Sequence, residues 1–138
     1  GKNRRKEIES MNVEHTLMNA LGIKIISVKE GEVIATMPVD ERTRQPFGLL
    51  HGGASVALAE TVASYGAFCL VDQETEAAVG LEINANHIKA KKDGIVTATG
   101  TILHRGKKTM VWEIKIVDEQ QQLVCISRCT MAVIEKKA

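Results

Sequence analysis

The sequence predicts an α+β domain in which a curled antiparallel sheet wraps around one long buried helix. Three observations predict it. Residues 52–70 are dominated by Ala, Val and Leu over about five helical turns, and their apolar side chains do not keep to one face. A helix that is apolar nearly all round belongs in a core. The segments on either side alternate or are rich in Ile and Val, as half-buried strands are. Turn residues separate those segments at short intervals, which suggests consecutive antiparallel hairpins. The helix has no polar face to give to solvent, so either the sheet curls round it or a second subunit covers it.

The elements follow in chain order. Residues 1–12 are read as a charged N-terminal extension that frays, and residues 13–138 as one domain, the number that 138 residues supports. Residues 13–20 suit two helical turns closed by Gly22. Residues 23–28 and 32–39 read as strands joined by Lys29, Glu30 and Gly31. A loop containing Pro46 and Gly48 leads into the long helix. Four strands then follow: one carrying Val79, Leu81, Ile83 and Ala85 in alternation, then 96–102 after Asp93-Gly94, 110–117 after Gly106, and 123–134.

Bulk properties exclude several functions. A net charge of +1 with 3% aromatic residues lacks the basic excess and stacking side chains of a nucleic-acid binder. The long helix carries Ser, Thr, Gly and Glu60, which makes it a poor membrane span. Cys69, Cys125 and Cys129 make no CxxC pair. Cys125 and Cys129, four apart on a strand, share a face but stand about 13 Å apart, too far to bridge. Buried reduced thiols and the lack of a signal-peptide core fit a cytoplasmic protein. His15, His51, His87 and His104 are scattered, so no metal site is expected. No dinucleotide or phosphate-loop glycine pattern occurs, and no cofactor is expected.

One residue in the helix is out of character. Glu60 is the only charged residue between His51 and Asp72. An unpaired carboxylate inside a core costs several kcal/mol, on the order of the effective penalty for burying an ion. It either reaches an edge or pairs with a Lys or Arg on the sheet, or it lines a pocket where its charge does chemistry. Val56 at i−4 and Ser64 at i+4 share its face. Ser64 either orients the carboxylate or a water, or bonds back to its own helix.

The helix start offers a second feature. Gly52 and Gly53 leave backbone N–H groups open at the positive end of the helix dipole, where a developing oxyanion is stabilised. On the glycines alone, a tight loop-to-helix turn is the favoured reading. Gly52 and Glu60 lie about 12 Å apart along one helix. They cannot both reach one carbonyl from the same chain. Acting together, they require two antiparallel helices about a two-fold axis, and hence two shared sites per homodimer.

The run from Gln45 through Pro46-Phe47-Gly48-Leu49-Leu50-His51-Gly52-Gly53 to Glu60 resembles the signature of hotdog-fold acyl-CoA thioesterases. The likeness extends to Ala35–Asp40, Val79–His87 and Val111-Trp112. It falls in the branch of the Arthrobacter-type 4-hydroxybenzoyl-CoA and phenylacetate-pathway thioesterases, nearest the bacterial 1,4-dihydroxy-2-naphthoyl-CoA thioesterases. The resemblance implies a hotdog fold and an acyl-CoA substrate, with coenzyme A part of that substrate. It implies that Glu60 is the nucleophile or general base, that the Gly52 N–H polarises the carbonyl, that Gln45 and His51 line the reacting centre, and that Ser64 positions the nucleophile. It implies that coenzyme A is held by Gly80, His87, Ile88, Lys89 and Ala90 and by His104, Arg105, Gly106, Lys107, Lys108 and Thr109. Without the resemblance, the lysines in these turns read first as solvated hairpin charge. It further implies a dimer of dimers and a place in menaquinone biosynthesis. The competing readings are a broad medium-chain acyl-CoA thioesterase and a non-catalytic acyl-CoA-binding module. A hotdog dehydratase is disfavoured by the motif.

Overall fold

A computed structural model describes residues 4–137. Nine elements occur in this order: α1 (Arg4–Ser10), α2 (Leu17–Leu21), β1 (Lys24–Lys29), β2 (Glu32–Pro38), α3 (Gly52–Phe68), β3 (Glu76–His87), β4 (Ile95–Arg105), β5 (Thr109–Val117) and β6 (Leu123–Glu135). The strands form one antiparallel sheet in the order β1-β2-β4-β5-β6-β3. The inward side chains alternate as the pleat requires. Val33, Ala35 and Met37 of β2, Val96 and Ala98 of β4, and Trp112, Ile114 and Ile116 of β5 are buried against α3.

The hairpin expectation holds for β1-β2, β4-β5 and β5-β6 and fails for β3. That strand does not pair with β4, its successor. It crosses to the far edge and pairs with β6, with Glu76 opposite Glu135 and His87 opposite Cys125. The connection through residues 88–94 is stitched to the rest of the chain along its length. Ile88 N–H donates to the Val124 carbonyl, Leu50 N–H to that of Lys91, and Val39 N–H to that of Gly94. β3 is therefore an edge strand: Ala78, Ile83 and Ala85 pack against the core, while Leu81 is 60% exposed.

The helix, too, differs from the all-round burial expected of it. Ala54, Ser55, Leu58, Ala59, Val62, Ala63, Gly66 and Ala67 are buried, a single stripe of helical period. Val56, Ala57, Glu60, Thr61, Ser64 and Tyr65 make a second face that the sheet covers only in part. Small residues on the buried stripe let the sheet come close. Gly66 sits under the Trp112 indole and Gly100 under Val62, with no room for a Cβ at either.

The N-terminal helix 13–20 is shortened to Leu17–Leu21. His15 has φ 60 and Thr16 is extended, its Oγ1 accepting from Asn19 N–H at 3.4 Å as a cap, so the first turn forms only after it. Gly22, at φ 74, closes the helix as expected. The segment read as a fraying extension carries α1, in which Ile8 is buried. Cys69, Cys125 and Cys129 are buried and form no disulfide.

Candidate active site

The loop before α3 is pinned by its own polar groups. Gln45 Oε1 accepts from Phe47 N–H at 2.6 Å and from Leu49 N–H at 3.3 Å, and Gly48, at φ 86, makes the turn between them. The Gln45 side-chain amide group then keeps its two N–H donors without a partner among the described residues. His51 caps the helix: its Nδ1 accepts from Gly53 N–H at 2.8 Å. That nitrogen must be unprotonated to accept, which leaves the proton of a neutral ring on Nε2. The Gly52 N–H donates to no acceptor among the described residues. It opens on a cleft of about 330 Å³ whose walls include Gln45, Ser55, His87, Ile88, Lys89 and Ala90. His51 itself is exposed and does not line this cleft. A Cβ on Gly52 would stand 2.8 Å from His87 Nε2, so the ring lies directly on the helix tip.

Glu60 faces a different cleft. It shares about 490 Å³ with Val56, Ser64, Tyr65 and, from α2, Leu17 and Met18. No Lys or Arg pairs with it among the described residues. Its Oε2 lies against β3, where a Cβ on Gly80 would come within 2.7 Å. The register of β3 shifts between Gly80 and Glu82, a bulge beside the carboxylate. The charge is felt below it as well. Burial, with the Glu60 and Glu82 carboxylates adding to it, pushes the Cys129 thiol up to about 11. Thr61 bonds back to the Ala57 carbonyl at 2.7 Å, whereas Ser64 makes no such bond and keeps its hydroxyl for the cleft.

Gln45 and Gly52 thus line one cleft and Glu60 and Ser64 another, and the two share no residue. The residues read as coenzyme A contacts divide as well. His87, Ile88, Lys89 and Ala90 adjoin Gly52, while Gly80 adjoins Glu60. Arg105 ends β4, and Gly106, Lys107 and Lys108 form the β4–β5 turn, at the other end of the sheet beside Glu76 and Glu135. His104 and Thr109 flank that turn, closed by Gly106 N–H on the Thr109 carbonyl at 2.8 Å. Two of the cations are already engaged. Lys89 pairs with Asp118 at 2.7 Å, holding that carboxyl below its usual range, and Arg105 Nη2 donates to the Leu70 carbonyl at 2.6 Å just past α3. Lys91 pairs with Glu119 at 2.6 Å. The lysines around residue 90 are in part internal clamps rather than an open basic patch. Among the described residues no cluster of three His, Cys, Asp or Glu is placed to hold a metal.

Sequence reasoning missed Leu17, Met18 and Tyr65 as walls of the Glu60 cleft. Tyr65 is one turn on from Thr61 but five residues from Glu60, so the i+3 and i+4 spacings counted from Glu60 pass over it. Leu17 and Met18 arrive through the packing of α2 on α3, which no local pattern signals.

A helix cradled by an antiparallel sheet, with a lone carboxylate on its free face and an open amide at its tip, defines a hotdog-fold thioester hydrolase. The chain belongs to the thioesterase superfamily, whose family model matches residues 47–125. It is 59% identical over 126 residues to ComA2 of Bacillus subtilis (strain 168), covering 91% of this chain and all of that protein. It is 52% identical to the 1,4-dihydroxy-2-naphthoyl-CoA hydrolase of Listeria monocytogenes serotype 1/2a (strain 10403S), covering 88% and 98% of the two chains. The crystal structure of a mutant of thioesterase PA1618 from Pseudomonas aeruginosa superposes with a TM-score of 0.88 at 38% identity, covering 98% and 94%. No described helix is long and apolar enough to cross a membrane.

Proposed function

We propose that this chain hydrolyses an acyl-CoA to a free acid and coenzyme A, with Glu60 as the catalytic carboxylate of a site completed by a second copy. The unpaired Glu60 in its apolar cleft carries the reading. A thioester carbonyl is electrophilic and a thiolate leaves readily, so a carboxylate suffices without a strong acid. As nucleophile, a Glu60 oxygen bonds to the carbonyl carbon, the C–S bond breaks to release the thiolate, and water opens the resulting anhydride. As base, Glu60 takes a proton from the water that attacks the same carbon, and the C–S bond then breaks to release the thiolate. In both routes the Gly52 N–H and the Gln45 amide N–H groups receive the developing oxyanion, and Ser64 holds the carboxylate or the water. His51 fixes the helix tip that carries Gly52.

The separation of the two clefts supports a shared site. Gly80, beside Glu60, and His87, beside Gly52, lie toward opposite ends of the exposed edge strand β3. Antiparallel pairing of β3 with its symmetry mate sets one end against the other and moves Glu60 toward the partner subunit's Gly52. The same operation moves the Lys107–Lys108 turn of one subunit toward the partner's His87–Ala90 segment, reuniting the halves of the coenzyme A contact surface. Phe47, 89% exposed at the loop tip, then has a partner surface to meet. Two such dimers form the tetramer.

The substrate we favour is 1,4-dihydroxy-2-naphthoyl-CoA, which the Listeria relative's name specifies, and with it a cytoplasmic role in menaquinone biosynthesis. The test is thiol release across a panel of aromatic and straight-chain acyl-CoAs. Glu60→Gln and Glu60→Ala should lose roughly 10²- to 10⁴-fold in kcat while keeping the wild-type circular dichroism. Wild-type rates in a folded Glu60→Ala protein would remove the assignment.

A further inference from the structure

Behind the Glu60 cleft lies a second cavity of about 360 Å³, within the size range of small-molecule sites. Ile8, Met11 and Val13 from the N-terminal segment face Ile23, Ile25 and Val28 across it. Its charged lining residues, Glu9 and Lys24, are both exposed and sit at the rim. The β1 register shifts between Ile25 and Ser27, and Ile25, Ile26, Ser27 and Val28 all line the cavity. Ile23 and Lys24 line it too, because β1 is an end strand of the sheet and offers the space its free edge as well as alternate side chains.

Two residues belong to both cavities. Met18 and Tyr65 line the Glu60 cleft on one side and the second cavity on the other. They form a thin wall, held by the Tyr65 hydroxyl donating to Met18 Sδ at 3.2 Å. A thioether is a weak acceptor on a flexible side chain, so this wall parts at little cost.

We propose that the second cavity is a distal acyl chamber: it takes the far end of straight-chain acyl groups that pass the Met18–Tyr65 wall when the thioester is seated at Glu60. This rests on the hydrolase reading above and adds a chain-length determinant to it. A compact aromatic acyl group stops at the wall. A long chain displaces Met18 and buries its tail between the N-terminal segment and β1.

The test is the ratio of kcat/KM for dodecanoyl-CoA to that for benzoyl-CoA, measured on the full chain. Met18→Ala should raise the ratio about tenfold, and Val28→Phe, which fills the chamber, should lower it about tenfold. Adding Val28→Phe to Met18→Ala should cancel the gain. Should Val28→Phe fail to fold, Ser27→Leu fills the same space from the half-exposed edge and carries the same expectation. A ratio unchanged in folded Met18→Ala and in a folded filling variant overturns the chamber and leaves the hydrolase standing. Absence of thiol release from both thioesters by the wild-type protein overturns both.

Discussion

The Glu60 carboxylate lies so close to β3 that a methyl group on Gly80 would stand 2.7 Å from Oε2. Gly80 therefore sets where the carboxylate rests. A Gly80→Ala side chain must push Glu60 off the strand by a large part of an ångström. A displacement of that size at a reacting group costs about 10²-fold. We expect kcat to fall by about that factor. Steady-state kinetics checks this, alongside size-exclusion chromatography to establish that the variant assembles as the wild type does.

Gly66 poses the opposite question, one of stability. On helix propensity alone, Gly66→Ala should gain about 1 kcal/mol. The added methyl would overlap the Trp112 indole, which is fully buried and has no slack to move into. Overpacking of this kind costs about 1–3 kcal/mol. The clash outweighs the propensity gain, and the variant should be less stable by about 1 kcal/mol. Trp112 is the only tryptophan, so its fluorescence through a urea titration reports the transition directly.

What was legible in the sequence divides along physical lines. Alternation exposed β2, β4 and β5, because one face of each meets the core and the other does not. Glu60 stood out because its neighbours are uniformly apolar, and Ser64 followed from helical spacing. The placement of β3 was not legible. The bulge between Gly80 and Glu82 breaks its alternation, leaving Val79 and Leu81 exposed while Ile83 and Ala85 pack inward. Its partner is the last strand of the chain, a crossing that no turn signal encodes. The same limit applies to Lys89 and Lys91. Their clustering suggested an anion site, whereas Asp118 and Glu119, which engage them, come from the β5–β6 turn and reach them only in the folded chain.

That turn makes the fold acid-sensitive in a defined window. The Lys91 ammonium and the Ile95 N–H beside Glu119 hold its carboxyl down from 4.5 to about 2. A folded-state value below the unfolded one contributes stability that is full above the unfolded value and is lost as pH falls through the folded one. The contribution is thus intact above about pH 4.5 and gone near pH 2. Glu119→Gln should lower the melting temperature at pH 7, and the gap from wild type should close between those two values. Thermal melts at a series of pH values measure it. A gap that persists undiminished to pH 2 would show that the ion pair is not its source.

The shared site makes a prediction that no single-subunit site shares. Gln45→Ala and Glu60→Gln each disable every site in their own homodimer. If Gln45 and Glu60 meet across the two-fold axis, a mixed dimer gathers both substitutions into one site and leaves the other wild type. Random exchange makes half the dimers mixed, and each mixed dimer keeps one of its two sites. Activity should return to about one quarter of the wild-type rate. A site built within one chain would stay silent in every combination, because each chain carries a lesion. Unfolding and refolding the two variants together, then assaying thiol release against separately refolded controls, decides between them.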